Sequence, residues 1–105
     1  VIEMAKEAEQ LGADGLLIIT PYFVKPTPEG IFQHFESICK ATRLPIIIYN
    51  HPGRTMIDLS INLLVRLVSL PNIIGIKDSG TDLRRPIQLR QATSKPLVFF
   101  SGDDP

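Results

Sequence analysis

The sequence predicts an α/β fold, with parallel strands and outer helices forming about half of a TIM (β/α)8 barrel and residues 1–105 making up one partial domain. Three observations predict it. Short, continuously apolar, β-rich runs alternate with segments of helical periodicity. The runs start near positions 15, 45, 72 and 96, at intervals of about 24–30 residues, as in a succession of βα units with right-handed crossovers. Reactive side chains end several different strands, the habit of a barrel's C-terminal face.

The elements follow in order. Val1, Met4, Ala5, Ala8 and Leu11 recur at helical spacing, and Gly12 supplies the C-terminal stop. Residues 15–20 form the first apolar run. Thr27 then reads as N-cap and Pro28 as the first helical position, with Ile31, Phe32, Phe35, Ile38 and Cys39 on one face. Residues 45–49 are the second run. Ser60 caps the third helix, with Leu59 and Leu64 placed for a hydrophobic staple. Residues 72–77 are the third run. Asp82 is the expected opening of the fourth helix, where Pro86 sits awkwardly because it lacks an N–H. Residues 97–101 are the fourth run. Four strands cannot close an eight-stranded barrel. Val1 already stands inside a helical pattern and Asp104-Pro105 directly follows a strand, so a piece of a longer protein is expected.

A doubly wound open sheet uses the same succession of units. No Gly-rich phosphate loop follows any of the four runs, so the dinucleotide and P-loop fingerprints are missing and the barrel is preferred. Eleven Lys and Arg balance eleven Asp and Glu, interspersed, which gives no basic surface for nucleic acid. No apolar run approaches the roughly 20 residues of a membrane span. Cys39 is the one cysteine, which leaves no intrachain disulfide and fits a reducing compartment such as the cytoplasm. It is expected to be a small buried apolar side chain.

Lys77 carries the most chemical information. It ends an apolar strand, and period-two alternation puts Ile73, Gly75 and Lys77 on one face, with Gly75 leaving room beside the lysine. Inside a barrel the ammonium form is costly, and a neutral amine can attack a ketone to form an imine. A lysine at a strand end can equally extend its ammonium into solvent. Tyr49 ends the preceding strand, so the two can share a cavity, the phenol moving the protons that imine formation requires. A core tyrosine with a satisfied hydroxyl is the competing role.

Arg54 lies in the stiff loop Asn50-His51-Pro52-Gly53-Arg54-Thr55, where a guanidinium can bind a substrate carboxylate bidentately or simply be solvated. His51 is either a proton carrier or a solvated loop histidine. His34 falls mid-helix on the exterior, and the two histidines lack ligand spacing, so neither a metal nor a cofactor is expected. Gly102 and Asp103, after the fourth strand, are candidate substrate-binding positions. Asp78, Asp103 and Asp104 have three possible uses: binding substrate hydroxyls, orienting neighbours or capping helices.

Taken together, these residues resemble the dihydrodipicolinate synthase / N-acetylneuraminate lyase family. The carriers are Gly12-Ala13-Asp14 into Thr20-Pro21-Tyr22-Phe23, then Tyr49-Asn50-His51-Pro52-Gly53-Arg54-Thr55, Ile74-Gly75-Ile76-Lys77-Asp78 and Ser101-Gly102-Asp103-Asp104. Order and spacing match along essentially the whole chain, and the second and third motifs together are specific. The resemblance implies that the chain spans the family's fourth to seventh strands. It implies that Lys77 forms a Schiff base with pyruvate and that Tyr49 is the acid/base tyrosine. Arg54 occupies the position that holds the carboxylate of aspartate semialdehyde in the synthases, and sugar-acid lyases usually lack arginine there. The implied reaction is condensation of pyruvate with aspartate semialdehyde, toward lysine and diaminopimelate, in a homotetramer. Synthases usually carry a second tyrosine where this chain has Phe23, part of a proton relay into a neighbouring subunit's site. The alternatives are a retro-aldol lyase acting on a 2-keto-3-deoxy sugar acid or N-acetylneuraminate, and an inactive fragment or binding protein on the same scaffold.

Overall fold

The structure, a computed structural model, describes residues 2–20, 27–55, 58–79 and 84–101. Helices and strands alternate in these segments, with two helices between the second and third strands. They are α1 (Ile2–Gln10), β1 (Leu16–Ile19), α2 (Pro28–Ala41), β2 (Ile46–Asn50), α3 (Pro52–Thr55), α4 (Ile61–Val68), β3 (Ile73–Asp78), α5 (Arg85–Ala92) and β4 (Val98–Ser101). The strands form one parallel sheet in the order β1-β2-β3-β4, each neighbour in space also the next in sequence. This is the succession expected of part of a (β/α)8 barrel.

Local chemistry sets the helix ends. Gly12 has φ 87°, the left-handed conformation that ends α1; Gly12 N–H donates to Glu9 O and Ala13 N–H to Ala8 O. Thr27 accepts from Gly30 N–H at 3.0 Å, and Ser60 accepts from Leu63 N–H at 3.1 Å, so both expected N-caps form. Leu59 and Leu64, the expected staple residues, both enter the core. Asp82 lies outside the described residues. Pro86 falls in the first turn of α5, where its missing N–H has no intrahelical partner to lose. The one-turn α3 was expected to be loop. Pro52 opens it with a fixed φ, and Thr55 closes it by donating both its N–H and its hydroxyl to His51 O.

The helices cover one face of the sheet. Ile46 and Ile48 of β2 and Ile73 and Ile76 of β3 are buried with Phe35 and Ile38 of α2, Leu64 and Leu67 of α4 and Leu89 of α5. Residues directly paired across parallel strands emerge on the same side. The opposite, inner face therefore carries Leu17, Ile47, Tyr49, Gly75, Lys77, Val98 and Phe100. Leu17, Val98 and Phe100 are exposed there. One register shift interrupts the alternation: Ile46 pairs with Ile73 but Ile47 pairs with Gly75, leaving Ile74 without a β2 partner. Ile73 therefore faces the helices while Gly75 and Lys77 face inward, which corrects the expectation that all three share a face. Gly75 has its own requirement. A Cβ there would stand 2.5 Å from Val98 O, so glycine permits the close approach of β4.

Cys39 is half-buried against the core, and burial pushes its thiol up to about 11, which keeps it neutral near pH 7. Among the described residues no helix is long and apolar enough to cross a membrane. Among the described residues the sheet ends in two open edges, β1 and β4, beside an exposed apolar face. The isolated 105-residue chain is therefore expected to self-associate, because unpaired strand edges template further pairing. Light scattering over a concentration series checks this, and a monomer with cooperative unfolding would contradict it.

Candidate active site at the C-terminal end of the sheet

Tyr49 and Lys77 pair directly in the β2–β3 register, both on the inner face near the C-terminal ends of their strands. Lys77 Nζ lies 4.8 Å from the centroid of the Tyr49 ring, within range of a cation–π contact. Both side chains are half-buried. The sequence expectation that an amine and a phenol share one space is met by this geometry. A primary amine beside a phenol can add to a carbonyl while the phenol exchanges a proton with the departing oxygen.

Two neighbours complete the inner side. Ser79, just past β3, donates from its hydroxyl to the Tyr49 hydroxyl at 3.5 Å, a long and weak bond. His51 lies edge-on to Tyr49, ring centroids 5.4 Å apart. It is half-buried rather than a solvated loop histidine, and its Nδ1 is buried with no hydrogen-bond partner among the described residues.

Behind the pair, on the helix-facing side, sits a polar ring that was not read from the sequence. Asn50 is the residue after Tyr49, pairs with Asp78, and is fully buried. Its Nδ2 donates to Asp58 Oδ1 at 2.9 Å and to Asp78 Oδ1 at 3.1 Å, and its Oδ1 accepts from Leu59 N–H at 3.3 Å. Arg85 closes the ring, with Nη2 3.1 Å from Asp58 Oδ1 and Nε 3.4 Å from Asp78 Oδ2. Its Nη1 also donates to Leu59 O. Asp78 therefore orients neighbours, one of the three uses open to it. Two signals pointed to this ring. Asn50 continues the buried Ile46, Ile48 alternation with a polar side chain, which demands partners. Arg85 starts a helix against the helix dipole, so its charge is needed for something else.

Arg54 has its backbone in α3, immediately after β2. Gly102, Asp103 and Asp104, and Tyr22 and Phe23, lie outside the described residues. Among the described residues no three His, Cys, Asp or Glu side chains gather as metal ligands.

The family model of the dihydrodipicolinate synthetase family matches residues 1–105. The chain belongs to that family. It is 46% identical over 101 residues to the 4-hydroxy-tetrahydrodipicolinate synthase of Gluconobacter oxydans, covering 96% of this chain and 34% of the relative. Among solved structures it is similar to the chloride-inhibited dihydrodipicolinate synthase of Acinetobacter baumannii complexed with pyruvate. That match has 49% identity and a TM-score of 0.90, and covers 97% of this chain and 35% of that one. A dihydrodipicolinate synthase of Bacillus anthracis aligns with a TM-score of 0.92 at 38% identity, over 98% of this chain and 35% of that one. The chain thus spans about a third of the length of the relatives it matches.

Proposed function

We propose that this chain is the part of a 4-hydroxy-tetrahydrodipicolinate synthase that carries the family's fourth to seventh strands. The whole enzyme condenses pyruvate with aspartate semialdehyde through an imine on Lys77. The observation that carries this reading is the direct pairing of Tyr49 with Lys77, amine over ring at 4.8 Å. Similarity to a synthase complexed with pyruvate supports the choice of ketone.

In this mechanism Lys77 Nζ adds to the pyruvate carbonyl carbon to form a carbinolamine. Tyr49 protonates its hydroxyl, water leaves, and the C=N bond of the imine forms. Loss of a proton from the pyruvate methyl gives an enamine, whose carbon attacks the semialdehyde carbonyl while Tyr49 moves a proton to the new alkoxide. Arg54 holds the semialdehyde carboxylate, and Gly102 and Asp103 line the substrate space after β4. The remaining strands of the barrel cover the inner face and exclude water from Lys77. The same reading makes the enzyme a cytoplasmic homo-oligomer, a tetramer by resemblance.

Arg54→Ala tests the assignment in the full-length enzyme. The fork of a guanidinium matches a carboxylate, and a charge-assisted bond is worth about 1.5–3 kcal/mol. The semialdehyde kcat/KM is expected to fall roughly 10–100-fold, mostly through KM, with pyruvate imine formation retained. Steady-state kinetics with each substrate varied in turn measures this. An unchanged semialdehyde KM and kcat would move the assignment to a retro-aldol lyase on a sugar acid, the second reading, which Phe23 favours because it lacks the second relay hydroxyl.

A further inference from the structure

We infer that Arg85, far from Arg54 in sequence, is a positioning residue for the second substrate, holding the Arg54 loop closed at its base. The inference rests on the carboxylate-binding role proposed for Arg54. The chain leaves β2 at Asn50, makes the α3 turn that contains Arg54, and returns at Asp58 and Leu59. Asn50 ties the two ends of this excursion together, donating to Asp58 and accepting from Leu59 N–H. Arg85 ties the return point to the next strand. One guanidinium reaches Asp58, Asp78 and Leu59 O, so the loop base, β3 and α5 are fixed to a single planar group.

The burial is uneven. The side chains of Arg85 and Asp78 are 12% and 16% exposed, whereas that of Asp58 is 55% exposed. The inner members hold strand β3 in register. Asp58 is the outer latch, and its release frees the loop while Asn50 and Asp78 keep the strand ends paired. Breaking the latch should therefore loosen Arg54 and spare the amine and phenol on the other face of the sheet. A displacement of about 1 Å in a substrate-holding group is enough to cost on the order of 100-fold in rate.

The test uses the full-length enzyme and two variants, Asp58→Ala and Arg85→Lys. Lysine keeps the charge but cannot span two carboxylates and a carbonyl. Both are expected to raise the semialdehyde KM about tenfold, and Asp58→Ala, which leaves the inner members in place, is expected to keep the pyruvate KM and borohydride trapping at Lys77 within about twofold of the parent. In an Arg54→Ala background, Asp58→Ala should add less than about twofold, since two residues acting through one contact are not additive. If Arg85→Lys does not fold, Asp58→Ala at its half-exposed position decides. Three results overturn the inference. A semialdehyde KM moved by Arg54→Ala but not by Asp58→Ala defeats it alone. Trapping at Lys77 that falls in step with the rise in KM in Asp58→Ala assigns the ring to the strands rather than the loop. A KM and kcat unmoved by Arg54→Ala defeat the Arg54 role itself, and the inference with it.

Discussion

On the proposed imine mechanism, Lys77→Arg in the full-length protein is expected to abolish borohydride trapping of pyruvate and to lower turnover by roughly 10³–10⁶, the scale of losing a covalent nucleophile. Arginine keeps the positive charge and much of the length. It cannot form the imine, because a guanidinium stays protonated at any working pH and has no lone pair to offer the carbonyl carbon. The position over Tyr49 tolerates a cation, so the fold is expected to survive the change. In the parent, borohydride is expected to deliver hydride to the imine carbon and leave a stable secondary amine, which peptide mass mapping locates. Other lysines in the described chain are badly placed for this chemistry. Lys40 is a solvated partner of Glu36 on α2, and Lys95 donates to Val68 O and Leu70 O at the end of α4. Label on either of these, or on Lys25, in place of Lys77 would remove the lysine assignment.

Tyr49→Phe should cost roughly 10²–10⁴ in kcat, the usual contribution of a positioned acid/base group. The ring that faces Lys77 and His51 is preserved, so packing is nearly unchanged. Only the hydroxyl is lost, and with it the long bond from Ser79. The loss should fall on the steps that move protons. Single-turnover trapping should therefore show slowed imine formation, while the final yield of trapped adduct at long times approaches that of the parent. Near-normal turnover by this variant would remove Tyr49 from the mechanism.

The strand positions were legible because each is a continuous apolar run, and each lies within a residue or so of its observed bounds. Thr27 and Ser60 were legible for a different reason. A side-chain oxygen immediately before an apolar-periodic segment has few other uses. The pairing of Tyr49 with Lys77 followed from two strand ends in adjacent βα units. What escaped was non-local. Asn50, Asp58, Asp78 and Arg85 are separated by up to 35 positions, and only the assembled sheet and helices bring them to one point. Each looks alone like a loop residue or a helix end. The α3 turn escaped because Pro-Gly ordinarily reads as a bend, while its closure depends on Thr55 reaching back to His51. The solvated reading of His51 failed for the same reason, since its ring is covered through its contact with Tyr49.

The unpaired Ile74 has a consequence best put as a matter of odd and even. Along a strand, parity alone decides which side a residue emerges on. In β3 the odd position Ile73 faces the helices, yet the odd positions Gly75 and Lys77 face the open side, because the chain spends one residue without a partner between them. Were Ile74 paired in turn instead, the alternation would shift by one. The amine would then be delivered among the apolar helices, and Ile76 would stand beside the phenol in its place. Neither side chain would have been altered. The chemistry at this end of the sheet is thus written partly in one residue that β2 leaves unpaired, and a strand that paired it in turn would lose the amine from the open side as surely as replacing the lysine.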